Sequence, residues 1–183
     1  MVQYDNSSSL NRKLRNNGTI NWKISMLWFW VSYVVVTLVG IVHTIFNGVV
    51  LKMETMAQLS PENQQAVADT AYAMGTAYAK TVPFHPLYNI VIWSFFAFFY
   101  FRMAKTEKRQ WKTALFLGLS WSIIAIVFDV FGWIIVKHPW SLTWKGFYVD
   151  YQPWITLIYI AIFLSAFIGM AFYSKSNKKQ NND

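Results

Sequence analysis

Six side chains carry most of the chemistry open to this largely apolar chain of 183 residues. Asp129 stands alone among hydrocarbon in "AIVFDVFGW", residues 125–133. His43 and Asn47 are four residues apart, as are His85 and Asn89, so each pair shares one face of a helix. His138 completes the set. An acid beside an imidazole is what general acid–base chemistry requires. Three histidines with an aspartate also suit zinc or another divalent ion. They lie on separate segments, however, without an HExxH-type spacing, so no metal and no cofactor is assigned. The plainest reading is structural: Asp129 and His43 share an interhelical hydrogen bond, the asparagines extend it, and helix register is held. The chain has no cysteine, which excludes disulfides, thiol catalysis and cysteine-ligated metal.

The elements that hold these residues follow from composition. Apolar residues make up 55% of the chain, aromatics 19% and charged residues 13%, a balance suited to lipid rather than water. Four stretches, about 24–51, 87–103, 113–136 and 154–173, are long enough to cross a hydrocarbon core of about 30 Å as helices. Unpaired backbone amides are too costly there for anything but helix, and continuous apolar runs do not alternate as barrel strands do. The expected fold is all-α: a polytopic membrane protein with four transmembrane helices in a bundle. Residues 1–20 form a flexible polar segment, 21–174 the transmembrane domain and 175–183 a basic tail. The first apolar run is too long for a secretory signal and lacks a cleavage site, so it reads as a retained signal anchor.

Between the first two runs, Ser60, Pro61 and Glu62 form a helix-start signal. Val67, Ala71, Met74 and Tyr78 follow at helical spacing, predicting a short external helix between spans 1 and 2. The stretch 137–154 gathers Trp140, Trp144, Phe147, Tyr148, Tyr151 and Trp154 between two prolines. Such aromatics suit an interface belt, matched on the other side by Trp22, Trp111 and Tyr173, or else a platform for a sugar or lipid headgroup. Ala161, Ser165 and Gly169 form a small-residue ridge for close helix packing. Gly118, Ser122, Ala125, Asp129 and Gly132 form a second stripe, which turns the acid toward the bundle.

Lysine and arginine crowd one side: Arg12 to Lys23, Arg102 to Lys112 and Lys175 to Lys179. The opposite loops hold Lys52, Lys80, Lys137 and Lys145, so both termini are expected in the cytoplasm of a plasma membrane, bacterial in character. This topology and attraction to anionic lipid account for the net charge of +8, and no nucleic-acid module is legible. Counted from the outer helix ends at about 1.5 Å per residue, Asp129 lies about 10 Å deep and His43 about 12 Å. The two are therefore expected to meet in an outward-facing polar pocket with Asn47, Asn89, His85 and His138 above them. That pocket suits a binding, sensing or accessory subunit. The alternatives are a membrane-embedded enzyme acting on an outer-leaflet lipid or lipid-linked envelope precursor, and a subunit of an oligomeric channel or carrier. The expected partners are the bilayer itself and either another membrane protein or a second copy of the chain.

Overall fold

The computed structural model describes residues 20–58, 77–105, 110–137 and 141–180. Among these residues there is helix and turn but no strand. Helix α1 runs Trp22–Gln58, α2 His85–Ala104, α3 Gln110–Asp129, α4 Trp144–Tyr148 and α5 Trp154–Gln180. Four segments are long and apolar enough to cross a membrane: Trp22–Val50, Ala77–Ala104, Gln110–Ile135 and Trp154–Asn177. The expected external helix lies mostly outside the described residues. Its last part, 77–81, is helical and leads through a 3-10 turn, Val82–Phe84, into α2.

Local chemistry sets the ends of these helices. Pro86 occupies the first turn of α2, where its missing N–H costs no hydrogen bond. Lys105, at a φ of 47°, adopts the left-handed conformation that commonly closes a helix. Directly after Asp129 the backbone widens into a π-helical segment, Val130–Ile135, and Val136 N–H reaches the carbonyl of Phe131 at 2.9 Å. The Thr143 hydroxyl accepts a 2.9 Å hydrogen bond from Gly146 N–H and caps α4.

The bundle is organised around α5, which packs chiefly on α2 and next on α3, whereas α1 lies along α2 and meets α3 mainly through long side chains, such as Trp30 and Phe128 with ring centroids 4.6 Å apart. Small residues allow the close approach. A Cβ added at Gly169 would come within 2.5 Å of the Ala97 Cβ and 2.7 Å of the Phe98 amide nitrogen. One at Gly118 would come within 2.5 Å of the Phe163 carbonyl oxygen. The core between the helices is aromatic, with Phe29, Trp93, Tyr100, Phe101 and Trp121 all fully buried. The ring centroid of Trp93 sits 5.4 Å from that of Phe29 and 5.3 Å from that of Trp121. Outside, Val34, Leu38, Val42, Ile45 and Val49 recur at helical spacing along α1 and are exposed, a stripe suited to acyl chains and not to water. Trp22 and Trp111 are exposed as an interfacial belt requires. Tyr173, expected beside them, is instead buried, its ring stacked 6.2 Å from that of Phe101. Its ring fills space beside α2 because α5 continues to Gln180, placing Tyr173 well inside the helix and not at its end.

Two cross-links define how α1 and α3, which run in the same direction, are aligned. Trp121 Nε1 donates to Ser25 Oγ at 3.0 Å, and Tyr33 OH donates to Asp129 Oδ1 at 2.7 Å. Both pairs are separated by 96 residues, so eight residues of rise, about 12 Å, pass along both helices without slip.

Replacing Gly169 with Leu is expected to force α2 and α5 apart and to lower stability in detergent by about 1–3 kcal/mol. A Cβ at Gly132 meets nothing within 4 Å, so Gly132→Ala should change stability by no more than about 1 kcal/mol. Paired unfolding titrations of the two variants check the contrast.

Candidate functional site

Because α1 leans on α2 but not on α3, the bundle is left open between them, and a cavity of about 610 Å³ fills the gap. All four long helices contribute to its wall, and the segment around α4 supplies a roof through Ser141, Leu142, Phe147 and Tyr151. The wall is mostly apolar, from Val36, Ile41, Ile155, Ile158 and Ile162 among others. Its volume falls in the range of small-molecule sites, about 300–1,000 Å³.

Asp129 lies in the wall of this cavity, half-buried, on the inward face that the small-residue stripe predicts. Tyr33 OH from α1 donates to Oδ1 at 2.7 Å, and Tyr159 OH from α5 donates to Oδ2 at 3.0 Å. Tyr148 OH, from α4, lies 3.4 Å from Tyr159 OH and extends the network toward the roof. Burial raises the pKa of the Tyr148 phenol, and burial with the nearby Asp150 carboxylate raises that of Tyr151, so both phenols stay neutral in ordinary conditions. The π-helical segment begins one residue after the acid, a rare distortion that clusters at functional sites.

A second polar group lies nearer the roof. His85 and Tyr88 both line the cavity, with ring centroids 5.0 Å apart. His85 Nε2 and Tyr88 OH are shut off from solvent and have no hydrogen-bond partner among the described residues. Gly40 on the facing helix makes room for them, since a Cβ there would sit 3.2 Å from the Tyr88 oxygen. Asn89 also lines the cavity, but its amide is already used: Nδ2 donates to the His85 carbonyl at 2.8 Å and Oδ1 accepts from Trp93 Nε1 at 3.0 Å.

The structure thus brings together Asp129, His85 and Asn89 of the six sequence candidates, and it changes the partner of the acid. His43 packs its ring edge-on against Phe84 and Tyr88, at 5.5 and 6.4 Å, and neither it nor Asn47 lines the cavity. Register separates His43 from the acid: it stands ten residues beyond Tyr33, about 15 Å farther along α1, above the level of Asp129. Equal depth from the two helix ends is misleading because α1 projects past α3: with Tyr33 level with Asp129, the end of the π-helical segment at Ile135 falls level with about Val39, and not with residue 51. His43 also faces away from the cavity, since Ile41, Thr44 and Ile45 at the same height line it. His138 lies outside the described residues. No three His, Asp or Glu side chains gather into a metal-binding group among the described residues.

Tyr33 and Tyr159 were not singled out by spacing. The signal was present nonetheless, because a phenol in the middle of an apolar run needs a polar partner in hydrocarbon. Among the aromatics of this segment, Trp144 is exposed, while Phe147 and Tyr151 line the cavity.

Removing either donor, by Tyr33→Phe or Tyr159→Phe, is expected to cost about 0.6–1.7 kcal/mol of stability in detergent. A double-mutant cycle should couple Asp129→Asn to Tyr33→Phe by at least about 0.5 kcal/mol and to His43→Ala by less than about 0.3 kcal/mol. Denaturant titration of the single and double variants reads both.

Compared with protein-family models, curated proteins and solved structures, the chain matches none of them.

Proposed function

We propose that this chain is a multi-pass membrane binding protein, a sensor or the binding subunit of a larger membrane assembly, whose intra-bundle cavity takes up an amphiphilic small molecule. The observation that carries this reading is the cavity itself: about 610 Å³ of mostly apolar space with the Asp129 carboxyl, held by its two phenol donors, in the wall. A polar network that served helix packing alone would not need that volume beside it.

The distribution of lysine and arginine supports a plasma-membrane topology with both termini in the cytoplasm. In that topology the roof built by α4 is on the outer side, and the cavity takes its ligand from the outer leaflet or from outside the cell. The absence of a nucleophile-and-base constellation around Asp129 among the described residues favours binding over turnover. Homo-oligomers and partner proteins are compatible with the exposed apolar flank of α1, which a bilayer covers equally well.

Trp93 and Trp133 line the cavity and supply a direct readout. With the protein in phosphatidylcholine nanodiscs, 11-bromoundecanol should quench tryptophan fluorescence saturably, with one site per chain, above the linear quenching that bilayer partition alone produces. Ala125→Phe, which fills the cavity wall, should remove the saturable part. Purely linear quenching of the natural chain would overturn the proposal.

A further inference from the structure

Resting on the reading of the cavity as an amphiphile site, we infer that its ligand is an organic cation: an amine or quaternary ammonium carried on an apolar body. Charge is the first argument. Among the described residues Asp129 is the one carboxylate in the cavity wall, and no lysine or arginine lines that wall. Asp129 also has no basic partner among the described residues, where the sole ion pair, Lys145 with Asp150, lies out on the exposed surface. A nearby cation favours the charged form of a half-buried carboxyl in an apolar wall, and among the described residues no side chain supplies one.

The geometry of the acid agrees. A carboxylate offers about four lone-pair positions, and the phenols of Tyr33 and Tyr159 occupy one on each oxygen. Both oxygens therefore keep accepting capacity on a residue that lines the cavity. The phenols clamp the group in place, so a cation meets a carboxylate that is already oriented.

The wall around it supplies the second attraction. Tyr33, Trp133 and Tyr159 share the lower part of the cavity with Asp129, and Tyr78, Phe147 and Tyr151 close its upper part. Aromatic rings attract cations through their quadrupole, most strongly where water is excluded, and aromatic-lined sites recur in the recognition of quaternary ammonium groups. An anionic headgroup finds the reverse: among the described residues the wall offers an acid and no basic side chain. A phosphate or carboxylate amphiphile is disfavoured on each count.

The test holds chain length constant and varies the head. Decyltrimethylammonium, decanol and decyl sulfate are used to displace 11-bromoundecanol from the full chain in phosphatidylcholine nanodiscs, each corrected for partition into empty discs. The ammonium is expected to displace the probe at a concentration about tenfold below that of the sulfate, with the alcohol between them. Asp129→Asn, which keeps the shape and removes the charge, should bring the three heads within about twofold of one another, each measured against the variant's own affinity for the probe. If the three heads compete alike on the natural chain, or the sulfate is preferred, the cation inference falls and the amphiphile reading stands. If Asp129→Asn folds and keeps the ammonium preference, the assignment to this carboxylate is wrong. If the probe shows no saturable binding, both readings fall together. The order of the three heads on the natural chain decides the inference even where the variant does not fold.

Discussion

Three helices meet at one carboxylate. Asp129 on α3 accepts from Tyr33 on α1 and from Tyr159 on α5, and the rest of the architecture is arranged around those two hydrogen bonds. In an aqueous core such bonds would add modestly to a large hydrophobic term. Among helices whose outer surfaces are as apolar as lipid, the hydrophobic effect does little to choose one helix neighbour over another, and polar contacts and close packing decide instead. Here α2, α3 and α5 are brought together by small residues, Gly169 against Ala97 and Gly118 against Phe163. α1 has no comparable seam with α3. It is held there by Tyr33 to Asp129 and Ser25 to Trp121, two bonds of equal sequence separation that set its height.

That division of labour explains the cavity. Where small residues line a seam, backbones approach and no space remains. Where two helices are joined only by long side chains reaching across, the space between them stays open above the bridging pair. The phenols of Tyr33 and Tyr159 thus both brace the bundle and bound the cavity. The π-helical segment after Asp129 lets the chain leave α3 toward the roof, where Leu142 N–H returns to the Trp133 carbonyl at 2.8 Å and anchors the covering segment.

The polar atoms sort by whether the fold satisfies them. Trp121 to Ser25, Trp93 to Asn89 and Thr44 to Thr81 are closed pairs that serve packing. The His85 imidazole, the Tyr88 hydroxyl, Ser94 and Thr113 are not closed, and of these His85 and Tyr88 belong to residues that border the cavity. Such a distinction is invisible in residue type, since histidine and asparagine at a spacing of four look equally available in the chain at 43 and 47 and at 85 and 89.

The four long helices and the inward turn of Asp129 were legible from the chain alone, for a physical reason: hydrocarbon forces backbone amides to pair locally, so a long apolar run has one viable conformation, and a stripe of small and polar residues has one viable side. Height and partnership were not legible. Nothing in a single helix says how far it slides past its neighbour, and a slide of about 15 Å exchanges His43 for Tyr33 as the partner of the acid. Only packing settled that, through Ser25 meeting Trp121 and through the small-residue seams that bind α5 to α2 and α3. The cavity, which exists because one pair of helices lacks such a seam, was likewise a property of the assembled bundle alone.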